Sequence, residues 1–435
     1  MAETSASKLS KRIHTDGSTH YKSATAPASA ITGDLWYDTS SNSLKFYNGS
    51  IWGKVSSATP SLDSVTGTIY DGLTTDLTLA GSNFLAANLV VNFLQADDSI
   101  DVNVTVTPSS DTAATVTVPS SVFNSVTAGR VVTIKVTNSD GGVSTTVNTT
   151  AAALPSGGTI TTSGNYRIHT FTSSGNFVNT VSSLAVEYLV IAGGGAGGGT
   201  AGTYGGGGGG AGGYRTNVSG QTSGGNSSAE AALSLSAATF AVTVGAGGAY
   251  NSGGNGGTGG NSVFSTITSL GGAGGAGTAV AGLPGGSGSG TGGTAGPSAA
   301  GGSGTSGQGT DGGGNSGSSG TGGGGGGAGQ AGFDDGGASS TFGDGGNGLS
   351  NNITGSSVTR AGGGGGGDRA GDNANTFGSG GSGGGGDGAS DYNGTNATTP
   401  TVNTGSGGGG GSSDDRVGTA GASGIVIVRY DTTAL

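Results

Sequence analysis

Short runs of apolar and β-branched residues, alternating with Thr, Ser and Asn, recur from about residue 33 to residue 190 of this 435-residue chain, and glycine then takes over. Between residues 58 and 153 the runs are Leu77 to Leu79, Leu89 to Phe93, Val102 to Val106, Ala114 to Val118, Val131 to Val136 and Val143 to Val147. Strand-length segments with turn signals about every ten residues predict an all-β sandwich of roughly one hundred residues. Ahead of it, Gly33 to Val55 predicts an aromatic hairpin. It has a strand at Leu35 to Asp38, a Thr-Ser-Ser-Asn turn, a strand at Leu44 to Tyr47, an Asn48-Gly49 turn and a short strand through Trp52. Residues 1–30 are polar, carry Lys8, Lys11, Arg12 and Lys22, and look like an anchoring arm or a disordered end. A further β segment, Thr159 to Ala192, supplies Tyr166, Phe171, Phe177 and Tyr188 as the large side chains for the base of a terminal domain.

Fourteen of the 104 glycines precede residue 191, so the last 245 positions hold 90 of them. This glycine-dense half is bracketed by two strand-like segments, Leu184 to Ala192 and Ile425 to Tyr430. A flexible linker has no need of matched hydrophobic ends, so the half is expected to fold as one domain whose first and last strands pair. Ordering each backbone position costs about 1 to 2 kcal/mol, and glycine loses the most freedom of all. Contacts that only glycine permits must offset that cost: polyproline-II segments packed side by side, with N–H paired to C=O between neighbours. Gly205 to Gly210, Gly322 to Gly327, Gly362 to Gly367 and Gly407 to Gly411 are the predicted rods, with exposed turns between them. Eight prolines and irregular glycine spacing exclude collagen. A disordered glycine/serine spacer is the remaining competitor. The apolar islands at Phe240 to Val244, Val263 to Leu270, Ile353 and Val358 argue against it. The expected architecture is mainly β: residues 1–57 an arm and attachment module, 58–153 the sandwich, and 154–435 the glycine-rich domain, with 154–192 as its β base.

Composition narrows the function. Hydrophobic content of 31% and charged content of 9% are both low for an ordinary enzyme. A formal charge of −11, and no Lys after residue 135, would repel a phosphate backbone, so nucleic acid is not an expected partner. The absence of Cys removes disulfides and thiolate metal sites. No run approaches the roughly 18 apolar residues of a membrane span, and the first thirty residues lack a signal-peptide core. Membrane insertion is therefore not expected, and export would follow another route, such as release of a particle by lysis.

Candidate chemistry is sparse. Gly380-Gly-Ser382-Gly-Gly384 matches a nucleophile pattern, but in a segment this rich in glycine the match carries no information. His14, His20 and His169 are the only histidines, and His169 lies in an alternating strand pattern that predicts a structural role. The pairs Asp97/Asp98, Asp334/Asp335 and Asp414/Asp415 invite a glycosidase reading, yet adjacent acids in one loop are usually turn formers. No calcium-loop spacing occurs. No catalytic residue, metal ligand or cofactor is therefore assigned. What stands out is bulky residues among glycines: Tyr204, Tyr214, Arg215, Tyr250, Phe333 to Asp335, Phe342, Arg369, Phe377, Asp391 and Tyr392. Each either braces the rods or contacts a partner. Phe333, Asp334, Phe377, Asp391 and Tyr392 are the candidates for exposed contacts, because aromatic residues dominate interface energies at modest entropic cost. In the hairpin, Trp36, Tyr37, Tyr47 and Trp52 carry more aromatic area than so small a unit is expected to bury. They either dock on the following domain or mediate attachment and oligomerisation.

Three resemblances add to this reading. Gly33-Asp34-Leu35-Trp36-Tyr37-Asp38, Leu44, Tyr47-Asn48-Gly49 and Trp52 resemble a module found near the start of bacteriophage tail-fibre and related virion proteins. Pro60-Ser-Leu-Asp-Ser-Val65, Leu77-Thr-Leu-Ala-Gly81-Ser-Asn83-Phe84 and Val136-Thr-Asn138-Ser-Asp140-Gly141 resemble the immunoglobulin-like IPT/TIG family, with Thr66 and Gly67 where Pro is common. Such domains are usually spacers. Tyr188-Leu-Val-Ile-Ala-Gly-Gly-Gly195, Gly210-Ala-Gly-Gly-Tyr214-Arg215, Val242-Thr-Val-Gly245-Ala-Gly-Gly248 and Gly424-Ile-Val-Ile-Val-Arg429-Tyr430 resemble the glycine-rich terminal domains of phage adhesins. There, layered polyproline-II helices display recognition loops. Together the resemblances imply a non-enzymatic tail fibre or adhesin on the virion surface. They imply a homotrimer, attached to other virion structural proteins by its N-terminal region and binding a host surface protein or polysaccharide. The alternatives are a head or neck decoration fibre and, less favoured, a polysaccharide depolymerase.

Overall fold

The structure, a computed structural model, describes residues 12–13, 19–40, 43–54, 59–85, 87–200, 202–294, 297–317, 320–335, 342–369, 377–412 and 416–435. Lys8, Lys11, His14, Ser41, Asn42, Asp414 and Asp415 lie outside these residues. Among the described residues strand outweighs helix, with one α-helical turn at Ser120–Phe123, and the chain divides into two units, Met1–Leu154 and Pro155–Leu435.

The first unit opens with a five-stranded sheet in the order Arg12–Ile13, Thr19–Ser23, Leu35–Asp38, Ser43–Tyr47, Trp52–Lys54. The predicted aromatic hairpin is present, but residues 1–30 are not simply an arm, because Thr19–Ser23 pairs in parallel with Leu35–Asp38. That extra strand covers Trp36, while Tyr37, Tyr47 and Trp52 stay half-buried. Trp36 is only 4% exposed. Its indole N–H reaches the Ser23 carbonyl at 3.1 Å, Lys45 Nζ lies 4.5 Å from its ring centroid, and Trp52 packs edge-on at 5.5 Å. Tyr47 lies 5.2 Å from Trp52. Among the described residues the large apolar side chains left outside are Ile31, Leu44, Phe46 and Ile51.

The predicted sandwich follows. Ala113–Thr117, Asp76–Ser82 and Ser61–Thr66 form one antiparallel sheet, and Val147–Thr150, Val131–Thr137, Leu89–Gln95 and Ile100–Val106 the other. Alternate residues, such as Leu77 and Leu79 or Val132, Ile134 and Val136, fill one core. The last strand begins later than expected. Val143 makes only an isolated bridge to Thr137, because the Asn138–Gly142 turn, with Gly141 at φ +91°, brings the chain back before regular pairing starts.

In the second unit, Leu184–Ile191 and Ile425–Asp431 pair antiparallel at the centre of the main sheet, as their matched hydrophobicity predicted. Tyr166–Phe171 and Thr159–Ser163 extend it on one side and Tyr214–Thr216 on the other. Both central strands are buried on both faces. Tyr188, Val190, Val426 and Val428 meet Phe171, Phe177 and Phe264 in one core, where a second sheet of Gly175–Asn179, Ala238–Thr243, Ser262–Phe264 and Ile267–Ser269 lies. Leu189, Ile191, Ile425 and Ile427 face the other way, against Ala211, Tyr214, Ala328, Ile353 and Ala361.

On this base stands a lattice of glycine rods. Residues 205–213 form its centre, and their hydrogen bonds repeat every third residue. The amides of Gly205, Gly208 and Ala211 donate to the carbonyls of Gly320, Gly323 and Gly326. Those of Gly206, Gly209 and Gly212 donate to Gly411, Gly408 and Gly405, and those of Gly207, Gly210 and Gly213 to Ala276, Ala273 and Leu270. Three further segments, 192–198, 287–293 and 364–367, donate into the central carbonyls. Six neighbours with a three-residue repeat define a threefold, polyproline-II-type rod in hexagonal contact, roughly 25 Å long at about 3.1 Å per residue. A side chain is excluded at this centre: a Cβ on Gly209 would lie within 3.0 Å of the Gly195 and Ala196 carbonyl oxygens.

Candidate functional site

The rods run between two ends. Ala192 continues from Ile191, Gly213 enters Tyr214–Thr216 and Gly424 enters Ile425–Asp431, so one end is the base sheet. Rods paired to the Gly205 side of the central segment end at the opposite, loop end. Tyr204, Tyr250, Arg369 and the Asp391–Tyr392 turn lie there, with Phe377 close by, whereas Phe333 and Asp334 lie further along a flanking rod, where the Phe333 carbonyl accepts from the Gly324 amide beside the Gly208–Gly323 bond. Of the sequence-selected residues, 377, 391 and 392 are thus gathered at the loop end, and 333 and 334 lie on a rod flank of the same unit. Trp36, Tyr37, Tyr47 and Trp52 belong to the other unit, where the two tryptophans and Tyr47 cluster. Tyr214 and Arg215 fall at the base. Tyr214 is buried, and Arg215 forms a two-pronged ion pair with Glu230 at 2.6 and 2.8 Å. Glu230 also accepts a hydrogen bond from the Tyr188 hydroxyl at 2.6 Å, and burial, followed by this contact, raises the Tyr188 pKa.

Exposure separates presenting residues from bracing ones. Tyr392 is 56% and Phe333 37% exposed, whereas Phe377 is half-buried. Tyr204 is half-buried with the Arg369 guanidinium 5.6 Å over its ring, and a Cβ placed on Gly411 or Gly418 would touch Tyr250, so these side chains brace the rods. Asp334 spends one carboxylate oxygen on the Gly314 amide at 2.6 Å, and the buried Asp335 does the same for Ser316.

This use of Asp and Asn recurs around the lattice rim. Asp344 and Asn347 accept from the amides of Ser379 and Ser382, Asn255 and Asn261 from Gly277 and Gly271, Asp311 from Gly304, and Asp387 from Gly380. Where no further rod is available, a side-chain oxygen satisfies the outward N–H. Sequence reasoning missed this set, although the spacing was visible: Asp344-Gly-Gly-Asn347 and Asn255-Gly-Gly-Thr-Gly-Gly-Asn261 repeat in threes. Asn347→Ala is expected to cost about 1 kcal/mol, and Asp344→Ala with Asn347→Ala about 2. Urea unfolding of the single and double variants measures it; no change in midpoint would mean that water replaces these acceptors without loss.

The two acids at the base edge are both engaged by neighbouring side chains. A cavity of about 340 Å³ at the base edge includes Glu187 and Asp431 in its lining. Glu187 is held by Arg429 at 2.7 Å, and hydrogen bonds from Thr433 keep the Asp431 pKa below its ordinary value, the opposite of a proton donor. Among the described residues no group of His, Asp or Glu is placed to hold a metal ion. His169 is buried, with Nδ1 2.8 Å from the Gly157 carbonyl and its ring against Phe177 and Tyr430.

A family described as a glycine-rich domain matches residues 170–431, and the chain belongs to that family. Among curated proteins none matches the chain.

Proposed function

We propose that the protein is a structural adhesin, without enzymatic activity, that binds a cell-surface receptor through the loop end of its glycine-rich domain. The observation that carries this reading is the segregation of side chains. The lattice interior admits only glycine and small side chains such as Ala196 and Ser287, and both termini of the unit lie at the base. The exposed Tyr392 stands with Asp391 at the far end, and the exposed Phe333 stands with Asp334 on a rod flank in the loop-end half. The resemblance of Gly33 to Trp52 to virion attachment modules supports reading the adhesin as a fibre on the surface of a bacteriophage particle. Exposed Leu44, Phe46 and Ile51 beside the tryptophan cluster supply apolar area for trimerisation or for docking on other virion proteins. The sandwich is a spacer of immunoglobulin-like IPT/TIG type. Several weak sites on a trimer would multiply into strong attachment to a host protein or polysaccharide.

The test is adsorption of the full-length protein to a panel of bacterial strains, with the oligomeric state determined on the same sample. Tyr392→Ala is expected to weaken adsorption about tenfold or more, as a central aromatic contact does. Phe333→Ala should weaken it less. Wild-type adsorption by both variants would remove the loop end as the contact surface, and no adsorption to any strain would favour a head or neck decoration fibre. Release of sugars from the cells would revive the depolymerase.

A further inference from the structure

At the loop end lies a buried carboxylate that the recognition reading does not itself require. Asp368 ends the rod that begins at Ala361, is 0% exposed, and forms no ion pair with the described residues. Its oxygens are occupied by three donors. Oδ1 accepts from the Asp391 amide at 2.8 Å and from the Ser412 hydroxyl at 2.5 Å, and Oδ2 accepts from the Ser390 hydroxyl at 2.9 Å. The Ser390 oxygen in turn accepts from the Asn393 amide at 3.2 Å. Ser390 and Thr395 exchange backbone hydrogen bonds at 2.9 Å, and the Gly394 amide reaches the Asp391 carbonyl at 3.1 Å. The turn bearing the exposed Tyr392 therefore hangs on Asp368 at one point directly and at a second through Ser390.

We propose that Asp368 is a positioning residue that locks the Asp391–Gly394 turn, so that Tyr392 is presented in a single conformation; its value for binding rests on the recognition reading above. A buried carboxylate is tolerated only while its lone pairs are filled. Here the donors come from the loop end itself, so the carboxylate stays satisfied only with that turn in place. The rod does not need the side chain, since the Asp368 amide already bonds the Ala389 carbonyl at 3.0 Å. An aromatic held in one conformation loses less entropy on binding than one on a mobile loop.

Amide hydrogen exchange on the full-length protein tests this without a ligand. In Asp368→Ala the amides of Asp391 and Asn393 are expected to exchange about tenfold faster, while the rod amides of Gly364, Gly367 and Gly410 stay at wild-type rates. Asp368→Asn, which keeps one acceptor oxygen, should fall between. Ser412→Ala removes a donor outside the turn and should leave Asp391 and Asn393 unchanged. Unaltered exchange at Asp391 and Asn393 in Asp368→Ala would overturn the proposal, as would a uniform rise that includes the rod amides, which marks a general structural role. The adsorption experiment is independent. Locking confirmed by exchange, together with wild-type adsorption by Tyr392→Ala, would retain the positioning role and remove the recognition reading.

Discussion

Gly209→Ala is expected to destabilise the glycine-rich unit by about 4 kcal/mol or more, enough to abolish its cooperative fold in a marginally stable protein. The added methyl would meet the Gly195 and Ala196 carbonyl oxygens, which are backbone atoms with no rotamer to change. Moving either rod would break its own bonds, because Gly195 donates to Gly210 while Gly209 donates to Gly408 and accepts from Gly364. Alanine lowers unfolded-state entropy, which works in the opposite direction by only about 0.4 to 1 kcal/mol. Gly220→Ala is the control. Its φ of +75° is unfavourable for alanine, but nothing lies within 4 Å of the added methyl, so a cost of about 1 to 2 kcal/mol is expected. Denaturant unfolding followed by circular dichroism compares the two. Equal midpoints would mean that the rods do not pack in the hexagonal contact described.

The base sheet was legible because hydrophobic strands announce themselves. Leu184–Ile191 and Ile425–Asp431 are predominantly apolar, interrupted only by Glu187 in the first and by Arg429 and Asp431 in the second, the pattern of strands largely buried on both faces, and their pairing across more than two hundred residues followed from that match. Rods were legible only where glycine was unbroken. The segments 320–328, 361–367 and 405–411 contain predicted runs and do flank 205–213. The segments 192–199, 270–277 and 285–293 were missed, because Ala196, Ala273, Ser287 and Ser289 interrupt the glycines. Those small side chains are fully buried in the lattice, at positions where a methyl or hydroxyl fits between rods. Thr19–Ser23 was missed for a different reason. It is polar and gains its strand conformation from pairing with Leu35–Asp38, a non-local contact that no local pattern encodes. The loop-end residues could be chosen by type, as bulky side chains among glycines. Whether each braces or presents depended on lattice neighbours, as Tyr250 over Gly411 and Tyr392 in solvent illustrate.

Acidification is expected to weaken the same unit through His169. Burial first, and the nearby Arg167 charge in addition, lower its pKa from 6.5 to about 4, against the opposing hydrogen bond to Gly157. The short contact to a carbonyl fixes the proton on Nδ1, which leaves Nε2 buried without a hydrogen-bond partner among the described residues. Between pH 6.5 and 4 the unfolded chain therefore binds a proton that the folded chain does not. Stability contributed by the neutral ring is fully present above pH 6.5 and is lost as the pH falls toward 4, by about 3 kcal/mol from this one group. Carboxylates that titrate nearby make the total slope ambiguous, so the measurement is a difference. Unfolding free energies of wild type and His169→Gln are compared at intervals from pH 7 to 4. Glutamine can still donate to the Gly157 carbonyl but cannot take up a proton. The variant should start less stable and converge on, or overtake, the wild type as the pH drops. Parallel curves would mean that His169 titrates alike in the folded and unfolded chain, and that the base core admits its charge.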